Sequence, residues 1–249
     1  MAVSVDTVYQ RVLALSNKEQ RGYITPQEFN LLANQAQMGI FEEYFHHLNQ
    51  YLRNPGNDSS FSDSVDYIED KLSHFQIIDL TINPDGSGNY TLPSNQTPNG
   101  LYRLTDVRIT NPAYIDVTCQ QTTIKEYNQR RQATFSARSL NEHPTYIRLS
   151  SGSVNTSQMI KIFSGDGQYS GAAKIDYLRQ PEKVEWDYVV VNEKALYNAN
   201  GSSNFDLHPS EETTLVYKIL ELGGVIINKP ALASYAKTEV LEQSNTEKQ

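Results

Sequence analysis

The stretch FDLHPSEETTLVYKILELGG, residues 205–224, decides how we expect the chain to fold. Ser210 can accept hydrogen bonds from the free amides of a helix start, and Glu211 and Glu212 place negative charge at the positive end of that helix. Apolar residues then recur at helical spacing, at Leu215, Ile219 and Leu222. A glycine pair predicts the helix end after residue 222. The stretch therefore predicts an amphipathic C-terminal helix.

A longer helix is predicted near the N-terminus, over about 28 residues before the Asn-Pro-Gly stop at residues 54–56. Thr25 and Glu28 have the spacing of a capping box, and Ile24 and Phe29 are placed to form a hydrophobic staple around it. The apolar stripe consists of Phe29, Leu32, Ala36, Ile40, Tyr44, Leu48 and Leu52. At 1.5 Å per residue this helix is about 42 Å long.

Further helices are predicted on both sides of a central β region. Apolar spacing indicates helices over residues 5–15 and 61–75, the latter packed antiparallel on the long helix, and another helix over 230–240. We therefore expect an α+β protein. Its N- and C-terminal helices would form a helical bundle with a long central helix and flank an inserted antiparallel β domain.

The central region alternates apolar and polar residues between turns rich in glycine and proline. Seven strands are predicted, over residues 78–82, 89–92, 102–110, 113–119, 145–149, 159–163 and 174–178. The polar, arginine-rich residues 123–139 are either a short helix on Ile124 and Tyr127 or an extended loop. We divide the chain into a helical part at 1–75, a β-rich domain at 76–195, and C-terminal helices with a polar tail at 196–249.

Composition limits the classes of function. The chain has a net charge of −8, a pI near 5.1 and 38% hydrophobic residues. We expect neither a signal peptide in its first ten residues nor a membrane-spanning run. These values predict a soluble protein without membrane contact. No basic stripe is present that would grip DNA phosphates. The single cysteine, Cys119, is interpreted as a small buried thiol.

Candidate metal and catalytic motifs are incomplete. Glu42 with His46 and Glu43 with His47 are helical i,i+4 pairs that lack further metal ligands. The acidic turn at residues 83–89 lacks the bidentate acid of a calcium loop, and the glycines near residue 165 follow no βα unit. The acids at residues 182, 185 and 187 beside Trp186 could be glycosidase acids with a sugar platform, but a solvated surface is favoured. We therefore expect no enzyme, no metal and no cofactor.

Short motifs follow one another along nearly the whole chain. They are Asn17-Lys18, GYITPQEFN at 22–30, Ala33-x-x-Ala36-Gln37, EYNQRR at 126–131, YIRL at 146–149, YLRQP at 177–181 and LHPSEE at 207–212. Together they resemble the structural proteins of short-tailed crAss-like bacteriophages, which form rings in the neck and tail below the portal. One departure is QATFS at 132–136, where relatives carry a proline-containing segment.

The resemblance implies a virion structural protein that joins head to tail and surrounds the DNA exit channel. Its partners would be copies of itself in a twelve-fold ring, the portal or a neighbouring tail ring, and genomic DNA passing without specific binding. It would be made in the host cytoplasm. We expect the subunit interface at Glu126, Tyr127, Arg130, Arg131 and Phe135. The 16 tyrosines also favour assembly. The alternative is a carbohydrate- or receptor-binding virion module.

Overall fold

The computed structural model describes residues 3–17, 24–53, 59–94, 99–111, 114–132, 143–150, 158–164, 167–192, 194–226 and 238. These residues form five helices: α1 Val5–Asn17, α2 Pro26–Arg53, α3 Ser59–Ser73, α4 Ile124–Gln132 and α5 Glu212–Ile226. The predicted helix at 230–240 lies outside the described residues except for residue 238.

Eleven strands make three sheets within the described residues. They are β1 Gln76–Ile82, β2 Asn89–Thr91, β3 Leu101–Asn111, β4 Tyr114–Thr118, β5 Gln120–Gln121, β6 Thr145–Ser150, β7 Gln158–Ser164, β8 Gly167–Gln168, β9 Ala173–Arg179, β10 Tyr188–Val191 and β11 Lys194–Tyr197. The prediction of seven strands missed β5, β8 and the β10–β11 pair.

Contacts divide the chain into two compact units. One consists of Met1–His74 with Pro181–Gln249, and the other is Phe75–Gln180. The first contains α1, α2, α3, α5 and the β10–β11 pair, and the second contains α4 and the other nine strands. The three-part division at residues 75 and 195 stays a prediction.

The second unit is built from two sheets that share one buried cluster. The first sheet has the order β1-β9-β3-β4, and the second has the order β2-β7-β6-β5 with β8 paired to β7. All pairs are antiparallel except β5 with β6. The cluster includes Tyr90, Leu92, Leu101, Val107, Ile160, Ile162, Ile175 and Tyr177. Alternation along β9 places every second side chain in this core, as expected for a sheet with one buried face.

The start of α2 has the predicted capping box. Glu28 N–H donates to Thr25 Oγ1 at 3.3 Å, and Thr25 N–H donates to Glu28 Oε2 at 2.9 Å. Ile24 and Phe29, the predicted staple, are both buried. The helix therefore begins where its sequence signals place it, at Pro26.

Helix α5 differs from its prediction at both ends. Ser210 is not the cap, because a 3-10 turn at Pro209–Glu211 precedes α5 and His208 Nδ1 accepts the Ser210 N–H at 3.3 Å. The glycine pair does not stop the helix, which runs on to its bound at residue 226. A Cβ at Gly223 would lie 3.4 Å from Ile24 Cδ1. That distance is an ordinary van der Waals contact, so the position does not require glycine. Both glycines are buried, and the packing of α5 continues past them despite their low helix propensity.

A buried ion pair joins α3 to the turn that precedes α5. Lys71 Nζ lies 2.5 Å from Glu211 Oε1, and the two side chains are only 4% and 5% exposed. The same ammonium lies 4.2 Å from the centre of the Tyr67 ring. Removing either partner would leave an uncompensated buried charge, so this pair helps to fix where α3 packs.

One face of α2 binds an extended stretch of chain, residues 182–186. Asn34 Nδ2 donates to the Val184 carbonyl at 2.8 Å, and Asn34 Oδ1 accepts the Val184 N–H at 3.0 Å. Asn30 makes the same pair of bonds with Trp186, at 3.2 Å and 2.8 Å. Four helical residues rise about 6 Å and two extended residues about 6.6 Å, so the two repeats match.

Gln37 completes this arrangement, which we call the amide ladder: three side-chain amides of α2 bonded to extended backbone. Its Nε2 donates to the Glu182 carbonyl at 2.7 Å, and its Oε1 accepts the Asp206 N–H at 2.9 Å.

Because extended chain occupies this face of α2, the prediction of a helical bundle around a long central helix is wrong. The fold is mixed α/β, with five helices and three sheets whose strands lie mostly in the central region.

Candidate functional site

The hairpin of β10 and β11, here the β10–β11 hairpin, exposes apolar side chains on both faces. Its register pairs Val189 with Leu196 on one face and Val190 with Ala195 on the other. The side chain of Val189 is 53% exposed, that of Val190 62% and that of Leu196 52%. Within the described residues five of the ten exposed large hydrophobic side chains lie on this hairpin, so they form a cluster rather than a scatter.

The base of the hairpin is fixed by a buried aromatic group. Trp186 is 2% exposed, its ring lies 4.3 Å from Tyr9 and 5.8 Å from Tyr188, and its Nε1 donates to Asp6 Oδ1 at 3.0 Å. Asp187, the next residue, accepts a 2.5 Å hydrogen bond from Asn198 Nδ2 just beyond β11. The exposed end of the hairpin therefore extends from a well-anchored base.

Because Trp186 is buried, its ring is not accessible for a sugar to stack on. A platform must offer its ring face to a ligand, and this ring is covered by protein. The interpretation of Trp186 as a sugar platform is therefore wrong. The amide ladder binds the backbone of residues 182–186, which include Trp186. This segment therefore has a structural role.

Four of the five predicted interface residues lie on α4, which begins with a second capping box. Thr123 N–H donates to Glu126 Oε2 at 2.9 Å, and Glu126 N–H donates to Thr123 Oγ1 at 3.3 Å. These bonds lower the pKa of the Glu126 carboxyl. Residues 124–132 of the segment are thus a helix, as one of the two predictions had it, and residues 133–139 lie outside the described residues.

Aromatic stacking packs α4 against strand β7 of the same unit. The Tyr127 ring stacks on Phe163 of β7 with 3.9 Å between centroids. Arg130 Nη1 donates to Gln120 Oε1 at 3.4 Å, and the Arg131 side chain is exposed. Phe135, the fifth predicted residue, lies outside the described residues. The structure therefore brings Tyr127, Arg130 and Arg131 to one exposed helix but does not test their role.

A charged network on the four-stranded sheet was missed from the sequence. Arg108 Nη2 lies 2.6 Å from Asp176 Oδ1 and 2.9 Å from Asp79 Oδ1, and its Nε lies 3.6 Å from Asp106 Oδ2. Asp176 raises the pKa of Arg108 further, chiefly through its hydrogen bond. Since Arg108, Asp79 and Asp176 come from β3, β1 and β9, the network ties neighbouring strands together.

The motifs considered for metals serve other purposes. In the turn after β1, Asp85 Oδ1 accepts the N–H groups of Ser87 and Asn89, both at 2.8 Å, as in an Asx turn. The rings of His46 and His47 lie 6.0 Å apart. In the part of the chain that the structure describes, no three His, Cys, Asp or Glu side chains are grouped to hold a metal ion.

Burial makes the single cysteine, Cys119, a poor nucleophile. Cys119 is a free, buried thiol, as predicted, and burial raises its pKa to about 12. A thiol with so high a pKa forms little thiolate near neutral pH, and the thiolate is the nucleophile. The described part of the chain offers no other cysteine.

Comparison with known proteins adds no relative. No protein-family model matches the chain, and no curated protein matches it.

Among the described helices, none is long and apolar enough to cross a membrane.

Proposed function

We propose that this protein is a virion structural subunit that forms a ring in the neck or tail of a short-tailed bacteriophage. The ring would lie below the portal, join head to tail and surround the channel through which DNA leaves. Support comes from the resemblance of its motifs to ring proteins of crAss-like phages. The observation that carries an assembly role is the β10–β11 hairpin.

This hairpin has the sequence of a strand that is covered on both faces. Tyr188-Val189-Val190-Val191 has no polar position, as in strands buried within a larger sheet. Yet within the described residues β10 pairs only with β11, and the three valines are 46–62% exposed. A two-stranded hairpin is marginally stable in water on its own. A covering protein surface would remove both the apolar exposure and the open strand edges.

We propose that a neighbouring copy in the same ring supplies this cover. A cyclic ring repeats one contact around its axis, so each copy presents two different faces. The exposed cluster consists of five side chains, fewer than the roughly 20 to 30 residues on each side of a typical stable interface, so its burial alone would not hold a dimer in dilute solution. The contact would therefore form on the template of the portal or a preceding ring. The proposal includes twelve-fold symmetry matched to the portal, and no catalytic role.

The test is to purify phage particles and trace this subunit in a reconstruction by electron microscopy. A ring on the tail axis is expected, and a position away from the axis would exclude the ring. A second arm replaces Val189, Val190 and Val191 with Thr, which has a similar shape and keeps strand propensity. Incorporation into particles should fall, while the matched change of the same residues to Ile should leave it unchanged. Normal incorporation of the Thr variant would show that the hairpin is not covered.

A further inference from the structure

Helix α4 is an exposed, basic helix in an acidic protein. None of its residues is buried, and it carries Lys125, Arg130 and Arg131 against one acid, Glu126. That acid is already bonded at the helix start. In the described part of the chain, neither arginine forms an ion pair within about 4 Å. Arg130 donates to the side-chain oxygen of Gln120, and its charge also helps to lower the pKa of Glu126. The positive charge of α4 is therefore available to a partner.

The rest of the molecule has the opposite charge. The chain has a net charge of −8, and α4 contributes three cations and one anion, a net +2, so the remainder carries −10. A basic helix on such a protein is electrostatically complementary to the acidic surface of a second copy. Charge complementarity thus favours self-association through α4.

Helix α3 offers an acidic counterpart in the other unit. Its acids are Asp63, Asp66, Glu69 and Asp70. Its one cation, Lys71, is buried against Glu211 and cannot screen them at the surface. Asp66, Glu69 and Asp70 are exposed, and their i, i+3 and i+4 spacing places them on one side of the helix. We call these three residues the acidic face of α3, and no described residue forms an ion pair with them.

We propose that α4 of one copy docks on the acidic face of α3 of the next copy, as a head-to-tail contact within the ring. This inference rests on the proposed function and names its interface. Arg130 and Arg131 suit the contact because a guanidinium can bind a carboxylate through two parallel hydrogen bonds. Exposed apolar side chains lie beside both charge groups, Ile124 at 58% and Tyr67 at 40% exposure, and would pack between them.

Disulfide or bismaleimide cross-linking tests the contact. Particles are assembled with a double variant, Arg131→Cys and Glu69→Cys, in which native Cys119 stays silent because it is buried. A head-to-tail contact links each copy to the next, so a denaturing gel should show a ladder of multimers. Each single variant should give no ladder. A cross-link confined within one chain, or no cross-link in particles that contain the protein, would overturn the proposed contact.

A charge exchange supplies the second test. Arg130→Glu with Arg131→Glu should lower incorporation into particles about tenfold, because like charges then face each other. Adding Glu69→Lys and Asp70→Lys should restore incorporation to within about twofold of the unchanged protein. Restoration would support pairing of these two helices, and a further loss would overturn it.

The matched control reverses the same number of charges elsewhere. Arg103 and Arg148 are exposed on β3 and β6, and changing both to Glu should leave incorporation unchanged. An equal loss in this control would mean that net charge, not the α4 contact, governs assembly, and would overturn the inference. Absence of the unchanged protein from particles would instead overturn the proposed function. The same cross-linking in the concentrated purified protein would then test the α4–α3 contact separately.

Discussion

At the scale of the residue, reciprocal Thr–Glu pairs determine where two helices begin. Thr25 with Glu28 and Thr123 with Glu126 each exchange backbone and side-chain hydrogen bonds across a capping box. Thr25→Ala removes one acceptor for a free amide at the start of α2. We expect it to lower the free energy of unfolding by about 0.5–2 kcal/mol. An unchanged midpoint in a urea titration, at constant m-value, would contradict this role, and Thr25→Ser serves as the control that keeps the hydroxyl.

The same capping boxes predict a dependence of stability on pH. Hydrogen bonds from Thr25 hold the pKa of Glu28 below its ordinary value of 4.5. A carboxyl whose pKa is lower in the folded than in the unfolded state adds stability above its unfolded pKa. That stability is lost as pH falls through the lower, folded pKa. Denaturant midpoints measured between pH 7 and pH 3 should therefore fall less steeply for Glu28→Gln, which cannot titrate, than for the unchanged protein.

At the scale of the element, the amide ladder accounts for an extended segment that has few strand partners of its own. Asn34→Ala leaves both backbone groups of buried Val184 without their partners, which costs about 1–3 kcal/mol. The loss should appear although Ala is the better helix former. Gln35→Ala, at an exposed position of the same helix, is the matched control and should be neutral or slightly stabilising in the same thermal or urea titration.

Elements with local signals could be predicted, and those that depend on distant partners could not. The capping box, staple and apolar stripe define α2 from nearby residues alone. Asn34 and Val184 are 150 positions apart, and no local pattern reports their pairing. Polar amides at helical spacing in α2 were the available sign of the ladder, and the uninterrupted run at 188–191 was the sign of the hairpin. The predicted end of α5 was misplaced because both glycines are buried, and burial of the helix outweighs their low helix propensity.

At the scale of the whole molecule, the negative net charge disfavours binding to DNA. With a net charge of −8, and with only three of the 21 lysine and arginine residues on the basic helix α4, we expect weak DNA binding. Fluorescence anisotropy with a labelled duplex at about 150 mM salt should show no saturable binding in the micromolar range. Tight binding that weakens steeply with salt would contradict this expectation. A surface that DNA passes without adhering is what the proposed ring requires.

The amide ladder also has a consequence for hydrogen exchange. Residues 182–186 belong to no strand, and apart from the bridge between Glu185 and Ser203 solvent would be expected to replace their amide protons quickly. The N–H groups of Val184 and Trp186, however, donate to the side-chain oxygens of Asn34 and Asn30. Their exchange in deuterated water should therefore be as slow as that of the α2 backbone and should report its opening. Lys183, whose N–H has no place in the ladder, should exchange early. Fast exchange at Lys183 beside slow exchange at Val184 would mark a helix that acts, through its side chains, as the neighbouring strand.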